Sequence, residues 1–293
     1  MNLVARVKTI EELETLDQLG IDVFCLDTEF TVKKISVFTI SEIEKAVVFA
    51  EKKHKTVYIL INKMVHESDI EDLNKFIISM KTIKISGIVI NDLSVYVIAK
   101  KHKLEHLIIY QPGSMNTDSF SAEYFSDRLI KGITISREIT LDEISKIISK
   151  PTNLEFSIIG HGYLDMFYSK RKLVTNYLIH KDISGQKILD NYELRLNEEI
   201  RPNDFYPIFE DEFGTHIFRS NKLISYEELD QLSGIIKDFF IERIFMEDEE
   251  FFDSIGLYRK KITLDDFLTK YKNYNSGFYY QRTEKVKGEL NES

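Results

Sequence analysis

Short apolar runs rich in β-branched residues recur along the chain, and stretches with helical spacing separate them. The runs occupy residues 3–7, 23–26, 57–61, 87–90, 107–110, 133–135, 154–159 and 239–245. Residues 10–19 form an amphipathic segment, and Gly20 behind it is a natural helix stop. Residues 41–53 read as a second helix, with Ser41 as N-cap and Glu44 in the capping-box position. Further helices open near Asp69, near Asp92 and near Thr117 or Asp118, and one is capped by Thr140 with Glu143 three residues on.

Strand–helix alternation with nearly continuous apolar strands predicts parallel strands covered by helices. The spacing favours an α/β (β/α)8 TIM-like barrel, with an open α/β sheet as the competing arrangement. Between the seventh and eighth runs the pattern changes. Residues 188–189, 192–196 and 215–218 form alternating runs, and Pro202-Asn203-Asp204 reads as a turn between them. This block predicts a small antiparallel β insertion. The expected divisions are residues 1–185 for barrel strands one to seven, 186–225 for the insertion, and 226–293 for barrel closure and a C-terminal tail. An amphipathic helix over residues 264–271 lies in that tail.

In such barrels chemistry gathers at the C-terminal ends of the strands. The residues falling there are Asp27, Thr28 and Glu29, Asn62, Asn91 and Asp92, Gln111, Ser136, Arg137 and Glu138, Gly160 and His161, and Glu242 with Arg243. His161, between two glycines, is a general acid/base candidate, and a histidine packed against backbone is the alternative. Lys170-Arg171-Lys172 follows strand seven, so with Arg137 and Arg243 it would give that face a positive character, suited to carboxylate or phosphate. Surface cations with local ion pairs are the alternative. Two other basic runs, residues 52–55 and 100–103, close helices on the opposite face and read as cations at helix C-termini. The acidic run at residues 247–250 reads as a solvated surface. Glu155 begins strand seven, to point into the barrel or to pair structurally.

The 293 residues are 43% hydrophobic and 30% charged, enough to bury a large core. A net charge of −9 argues against avid, non-specific nucleic-acid binding, though not against a local basic site. The single cysteine, Cys25, lies in an apolar run and excludes both a disulfide framework and a self-contained cysteine-ligated cluster. No Gly-rich phosphate loop, nucleophile elbow or paired metal-ligand motif occurs. With no apolar run of membrane-spanning length and no secretory signal, a cytoplasmic location is expected.

The stretch from Glu155 to Tyr177, with Gly160-His161-Gly162 and then Tyr168-Ser169-Lys170-Arg171-Lys172, resembles the signature of peptidase family U32. That signature is a Glu-led strand ending at Gly, then Tyr-Ser-Gly-x-Cys-x-x-x-Ser-x-Tyr. Ser136-Arg137-Glu138-Ile139-Thr140-Leu141-Asp142-Glu143-Ile144 is similar to the family's Ser-Arg-Glu-Leu-Ser-Leu-x-Glu-Ile. Gly20-Ile21-Asp22-Val23, the strand ending in Asn62 and the strand running into Asn91-Asp92 resemble other family segments, and Asn116 resembles an asparagine after strand five.

The resemblance implies a barrel and two competing activities. One is a collagenase-like peptidase. The other is assistance to oxygen-independent hydroxylation of ubiquinone precursors or RNA bases, with a four-cysteine iron–sulfur cluster. One branch pairs two family proteins in prephenate-dependent 5-hydroxyuridine formation at the tRNA wobble position, and the shorter member resembles this chain. Lys172 and Thr175 stand where relatives carry cysteine or serine. The resemblance therefore implies a subunit that binds no cluster through its own cysteines and works as a heterodimer with a cysteine-containing U32 paralogue. Prephenate as co-substrate and tRNA as partner are further expectations, and a non-catalytic partner protein is the remaining alternative. The expected catalytic residues are His161, Glu138 and Arg137. Asn62, Asn116, Tyr168, Lys170, Arg171, Glu242 and Arg243 join Arg137 in substrate binding.

Overall fold

The structure is a computed structural model that describes residues 1–183 and 194–281. The expected strand residues 188–189 and 192–193 lie outside the described residues. Strands β1 (Asn2–Arg6), β2 (Val23–Asp27), β3 (Thr56–Ile61), β4 (Gly87–Ile90), β5 (Ile108–Tyr110), β6 (Gly132–Thr134) and β7 (Glu155–Gly162) are parallel neighbours in that order. A later strand, β13 (Asp238–Ile241), pairs in parallel with both β1 and β7 and closes the ring into the expected eight-stranded barrel. Helices α1 (Glu12–Leu19), α2 (Ile40–Lys52), α3 (Ile70–Ser79), α4 (Leu93–Lys101), α5 (Ser119–Ser126) and α6 (Leu141–Ile148) cover it.

Period-two alternation sorts each strand between two cores. Val4, Val23, Cys25, Tyr58, Leu60, Val89, Ile109 and Phe240 fill the barrel interior. Their neighbours, among them Leu3, Ala5, Phe24, Leu26, Ile59, Ile88, Phe239 and Ile241, pack beneath the helices. Cys25 is free and buried, and burial pushes its thiol up, so it is an interior packing residue. At the N-terminal end Tyr58 Oη donates to Asp238 Oδ2 (2.8 Å), and Asn2 Nδ2 donates to Asp238 Oδ1 (2.8 Å). Glu155, at the same end, pairs with Lys131.

The caps at Asp92, Asp118 and Thr140 form as expected, the last as a full box with Glu143. The cap of α2 is displaced: Thr39 and Glu42 form the box, not Ser41 and Glu44. The chain offers the hydroxyl-x-x-Glu spacing in two frames. Burial of Ile43, Ala46, Val47 and Ala50 selects the earlier one.

The insertion is a four-stranded antiparallel sheet in the order β8, β11, β10, β9. These are β8 (Asp165–Ser169), β9 (Arg195–Glu198), β10 (Arg201–Asp211) and β11 (Gly214–Phe218), with α7 (Leu173–His180) between β8 and β9. The sheet thus begins well before residue 186, because the stretch after strand seven is itself a strand. Asp-Met-Phe-Tyr-Ser lacks a clean polar–apolar alternation, so its extended form leaves no signal in the pattern. After β11, β12 (Lys222–Ile224) pairs antiparallel with the end of β7, and β14 (Tyr274–Asn275) runs parallel beside it. Between them come α8 (Leu229–Leu232), α9 (Asp248–Tyr258) and the expected tail helix, α10 (Leu264–Lys270).

The basic run at residues 52–55 has the structural part expected of it: Lys53 pairs with Glu14 and Asp17, and Lys55 with Asp17 and Asp22. The acidic run at 247–250 departs from a plain solvated surface. Asp248 pairs with Arg243 and Lys8, while Glu250 accepts from Lys222 and Tyr274.

Candidate functional site

On six strands the inward register continues one step past the apolar interior and turns polar. Val4 is followed by Arg6, Cys25 by Asp27, Leu60 by Asn62, Val89 by Asn91, Ile109 by Gln111 and Phe240 by Glu242. Arg6, Asn62, Asn91, Gln111 and Glu242 line a cavity of about 330 Å³ at the C-terminal end of the barrel, together with Arg137 from the loop after β6. Leu60, Ile159, Tyr163 and Phe218 supply apolar wall, and Asp165 and Tyr168 reach in from the insertion.

The deepest charge pair is Arg6 with Asp27. Nε donates to Oδ1 at 2.9 Å and Nη2 to Oδ2 at 2.5 Å, the planar fork on a carboxylate. Glu242 stands 3.6 Å from Nη1. Burial pulls the Arg6 guanidinium down, but Asp27 and Glu242 outweigh it and hold the group above its ordinary value. It stays cationic. A second cluster comes from the insertion: Lys33 Nζ lies 2.5 Å from Asp165 Oδ2, and His216 Nδ1 lies 3.0 Å from the same oxygen. Burial raises the Asp165 carboxyl, yet Lys33, His216 and Arg137 overcome it and leave it well below the usual range. Burial also lowers His216, more than Asp165 raises it. A neutral imidazole there donates through Nδ1 to Asp165, which leaves Nε2 buried without a partner. Tyr168 stacks on the His216 ring with centroids 4.5 Å apart.

The insertion is clipped over the mouth by the loop between β2 and α2. Lys33 N–H donates to Asp211 (3.0 Å), and Lys34 pairs with Glu212 (2.5 Å). Arg137 is different. Its Nε is buried with no hydrogen-bond partner, and its side chain has no ion pair among the described residues. Gly113, at φ 87°, faces it so closely that a Cβ there would lie 3.2 Å from Nη2. Only glycine gives the backbone that conformation cheaply and leaves the guanidinium room.

Of the expected site residues, Arg137, Asn62, Tyr168 and Glu242 meet at the mouth, with Asn62 Oδ1 also accepting from Val32 N–H (2.8 Å). Glu138 lines an adjoining cavity. Lys170 and Arg171 are exposed at the end of β8 and do not line the mouth.

His161 is not at the mouth. The pairing of β7 with β13 slips by one residue, so that Ile159 faces Phe240 and His161 faces Ile241, with Gly160 left over as a bulge. One extra residue reverses the side-chain direction, and His161 turns outward beneath α9. There Nδ1 meets Tyr258 Oη (3.0 Å), and Nε2 meets Ser254 Oγ (2.8 Å) and Tyr274 Oη (3.2 Å). Burial first, and then Lys222, lowers the imidazole to about 3. It is a neutral packing histidine.

Arg243 is displaced by the same alternation: with Glu242 inward it points outward, bonds Glu12 and Asp248 and stacks on Phe251. Asn116 is a backbone strut, buried in a left-handed turn at φ 67° with Nδ2 on the Thr134 carbonyl (2.9 Å).

Sequence reading missed Arg6, Lys33, Asp165 and His216. Arg6 carried a signal, a cation two residues past inward Val4 in an apolar run. The other three meet only through the insertion's docking, which local pattern does not encode.

A four-cysteine cluster does not fit this chain: Cys25 is its single cysteine, shut inside the barrel, and the described residues hold no group of three or more His, Cys, Asp or Glu placed to bind a metal.

The model of a family described as Peptidase family U32 matches residues 8–291. The tRNA hydroxylation protein P2 of Bacillus subtilis is 26% identical over 268 residues, covering 89% of this chain and 85% of that protein. An uncharacterised protease of Methanocaldococcus jannaschii is 23% identical, covering 99% of this chain and 70% of its own length. The chain spans about half of the longer tRNA hydroxylation protein P of Escherichia coli, at 22% identity over 61% of this chain and 49% of that one. Among solved structures, a U32 peptidase superposes with a TM-score of 0.50 at 15% identity, covering 82% of this chain and 92% of that one, a likeness of fold. Barrel, insertion and a match over nearly the whole length agree: the chain belongs to peptidase family U32.

Proposed function

We propose that this chain is the cysteine-poor member of a pair of U32 proteins that carries out prephenate-dependent 5-hydroxyuridine formation at the tRNA wobble position in the cytoplasm. A cluster-bearing paralogue supplies the redox chemistry, and this chain's mouth receives a carboxylate. The observation that carries the reading is the Arg137 guanidinium, which has no hydrogen bond or ion pair among the described residues and lines a cavity of about 330 Å³ beside cationic Arg6 and Lys33. A guanidinium clasps a carboxylate through two parallel N–H bonds. Asn62, Asn91 and Gln111 are placed to orient the hydroxyl and carbonyl oxygens of such a ligand, and Leu60 and Ile159 to exclude water below it. The relationship to a protein named for tRNA hydroxylation adds support. With a net charge of −9, RNA contacts in this reading are local or belong to the partner.

The peptidase reading draws less from the geometry. Its acid–base pair would be Glu138 and His161, but Glu138 lines the adjoining cavity while His161 is sealed beneath α9 by Tyr258, Ser254 and Tyr274. Gelatin cleavage lost on His161→Ala would restore it.

The test is deletion of the gene in its own host, with digested tRNA nucleosides read by mass spectrometry. Loss of 5-hydroxyuridine and its derivatives is expected, together with recovery of a cysteine-containing U32 paralogue when the tagged chain is purified. Unchanged wobble hydroxylation in the deletion strain sinks the proposal.

A further inference from the structure

Beside the mouth, sharing Arg137, Leu164, Asp165 and Met166 with it, lies a second cavity of about 270 Å³. Its other walls are Glu138, Arg219 and Phe278. Arg219 follows directly on β11 and takes no part in the charge network of the mouth. Its guanidinium carbon Cζ lies 4.5 Å from the centre of the Phe278 ring. Nη1 is buried without a hydrogen-bond partner, as Nε of Arg137 is. Burial holds the Arg219 group below its ordinary value, with Glu138 opposing only in part.

A cationic N–H hidden from water and left unbonded is destabilising, and proteins ordinarily relieve it with an acceptor. Both arginines line one cavity, and its carboxylates bond neither orphaned N–H. Asp165 is engaged by Lys33 and His216. Glu138 acts on Arg219 through space and makes no side-chain hydrogen bond to either guanidinium among the described residues. We propose that Arg137 and Arg219 together form an oxyanion subsite, which takes a carboxylate or phosphate whose apolar portion lies over Leu164 and Phe278. A guanidinium backed by an aromatic ring is held in plane for bidentate contact. The subsite needs neither the tRNA substrate nor the partner subunit of the preceding section.

The experiment titrates the purified chain with benzoate, inorganic phosphate and uridine 5′-monophosphate, reading melting temperature and calorimetric heat. Saturable binding of at least one probe is expected, weakened about tenfold or more by Arg219→Gln and by Arg137→Gln. Arg219→Lys keeps charge without the fork and should recover part of the affinity. It also serves as the folded control should the glutamine variant unfold. Preference for benzoate identifies a small organic acid, and preference for uridine 5′-monophosphate a nucleotide. Absence of saturable binding by all three probes overturns the proposal, as does binding that survives Arg219→Gln unchanged. Because tRNA modification is not the readout, this result and the deletion result stand or fall separately.

Discussion

The two ends of the barrel solve the same problem differently. Both carry polar side chains on inward positions of the strands. At the N-terminal end the central group is closed on itself, Asp238 accepting from Tyr58 and Asn2, while Glu155, whose Oε2 lacks a hydrogen bond, is held by its ion pair with Lys131. At the C-terminal end the polar layer is deeper, charged and incomplete, with Arg137 Nε and His216 Nε2 buried and unpartnered. A satisfied network stabilises and specifies a fold, whereas an orphaned buried donor costs about 1–3 kcal/mol and persists where something else selects for it. We read the difference as scaffold at one end and candidate site at the other.

Removing Arg6 tests how far the mouth also bears the fold. Arg6→Ala strands Asp27 in the interior and should lower unfolding free energy by about 3–5 kcal/mol in urea titrations. A loss under 1 kcal/mol would mean that water reaches Asp27 freely. Asp238→Ala, at the closed end, leaves the Tyr58 hydroxyl without its acceptor and should cost about 1–3 kcal/mol while sparing ligand binding at the mouth. Impaired binding would erase the distinction between the ends.

The buried histidine gives a pH prediction. The His161 imidazole sits near 3 in the folded chain against about 6.5 when unfolded. Between those values the unfolded state binds the extra proton. His161 therefore contributes stability that is fully present above about pH 6.5 and is lost as pH falls toward 3, at up to about 1.4 kcal/mol per pH unit. Urea midpoints from pH 7 to 4.5 should show the decline, and His161→Gln should flatten it. A midpoint independent of pH in the wild type would place His161 in contact with water. The smallest stability change is expected at Arg137→Gln, within about 0.5 kcal/mol of wild type, since that side chain makes no hydrogen bond or ion pair among the described residues and acts on Asp165 only through space.

The barrel was legible because apolar β-branched runs and capping residues are local signals, and the order of strands followed from their alternation with helices. Asn62 and Glu242 were legible as mouth residues because parity along a strand carries polar positions to its end, Arg137 because it follows strand six in the Ser-Arg-Glu segment, and Tyr168 because it belongs to the signature that follows strand seven. The same parity, counted from Phe240, turns Arg243 outward. His161 could not be placed that way: the bulge at Gly160 inserts one residue into β7, and its location depends on pairing with β13, far away in sequence. Lys33, Asp165 and His216 were invisible for a related reason. Their cluster forms only when the antiparallel insertion folds back over the loop after β2.

The central claim is that Arg137 is kept unpaired for a ligand on which the tRNA chemistry depends. The most direct measurement complements a deletion strain with wild type, Arg137→Gln or His161→Gln, expressed to equal soluble levels, and quantifies 5-hydroxyuridine in bulk tRNA by mass spectrometry. The account predicts that wild type and His161→Gln restore the modification while Arg137→Gln leaves it reduced about tenfold or more. Full restoration by Arg137→Gln would contradict it.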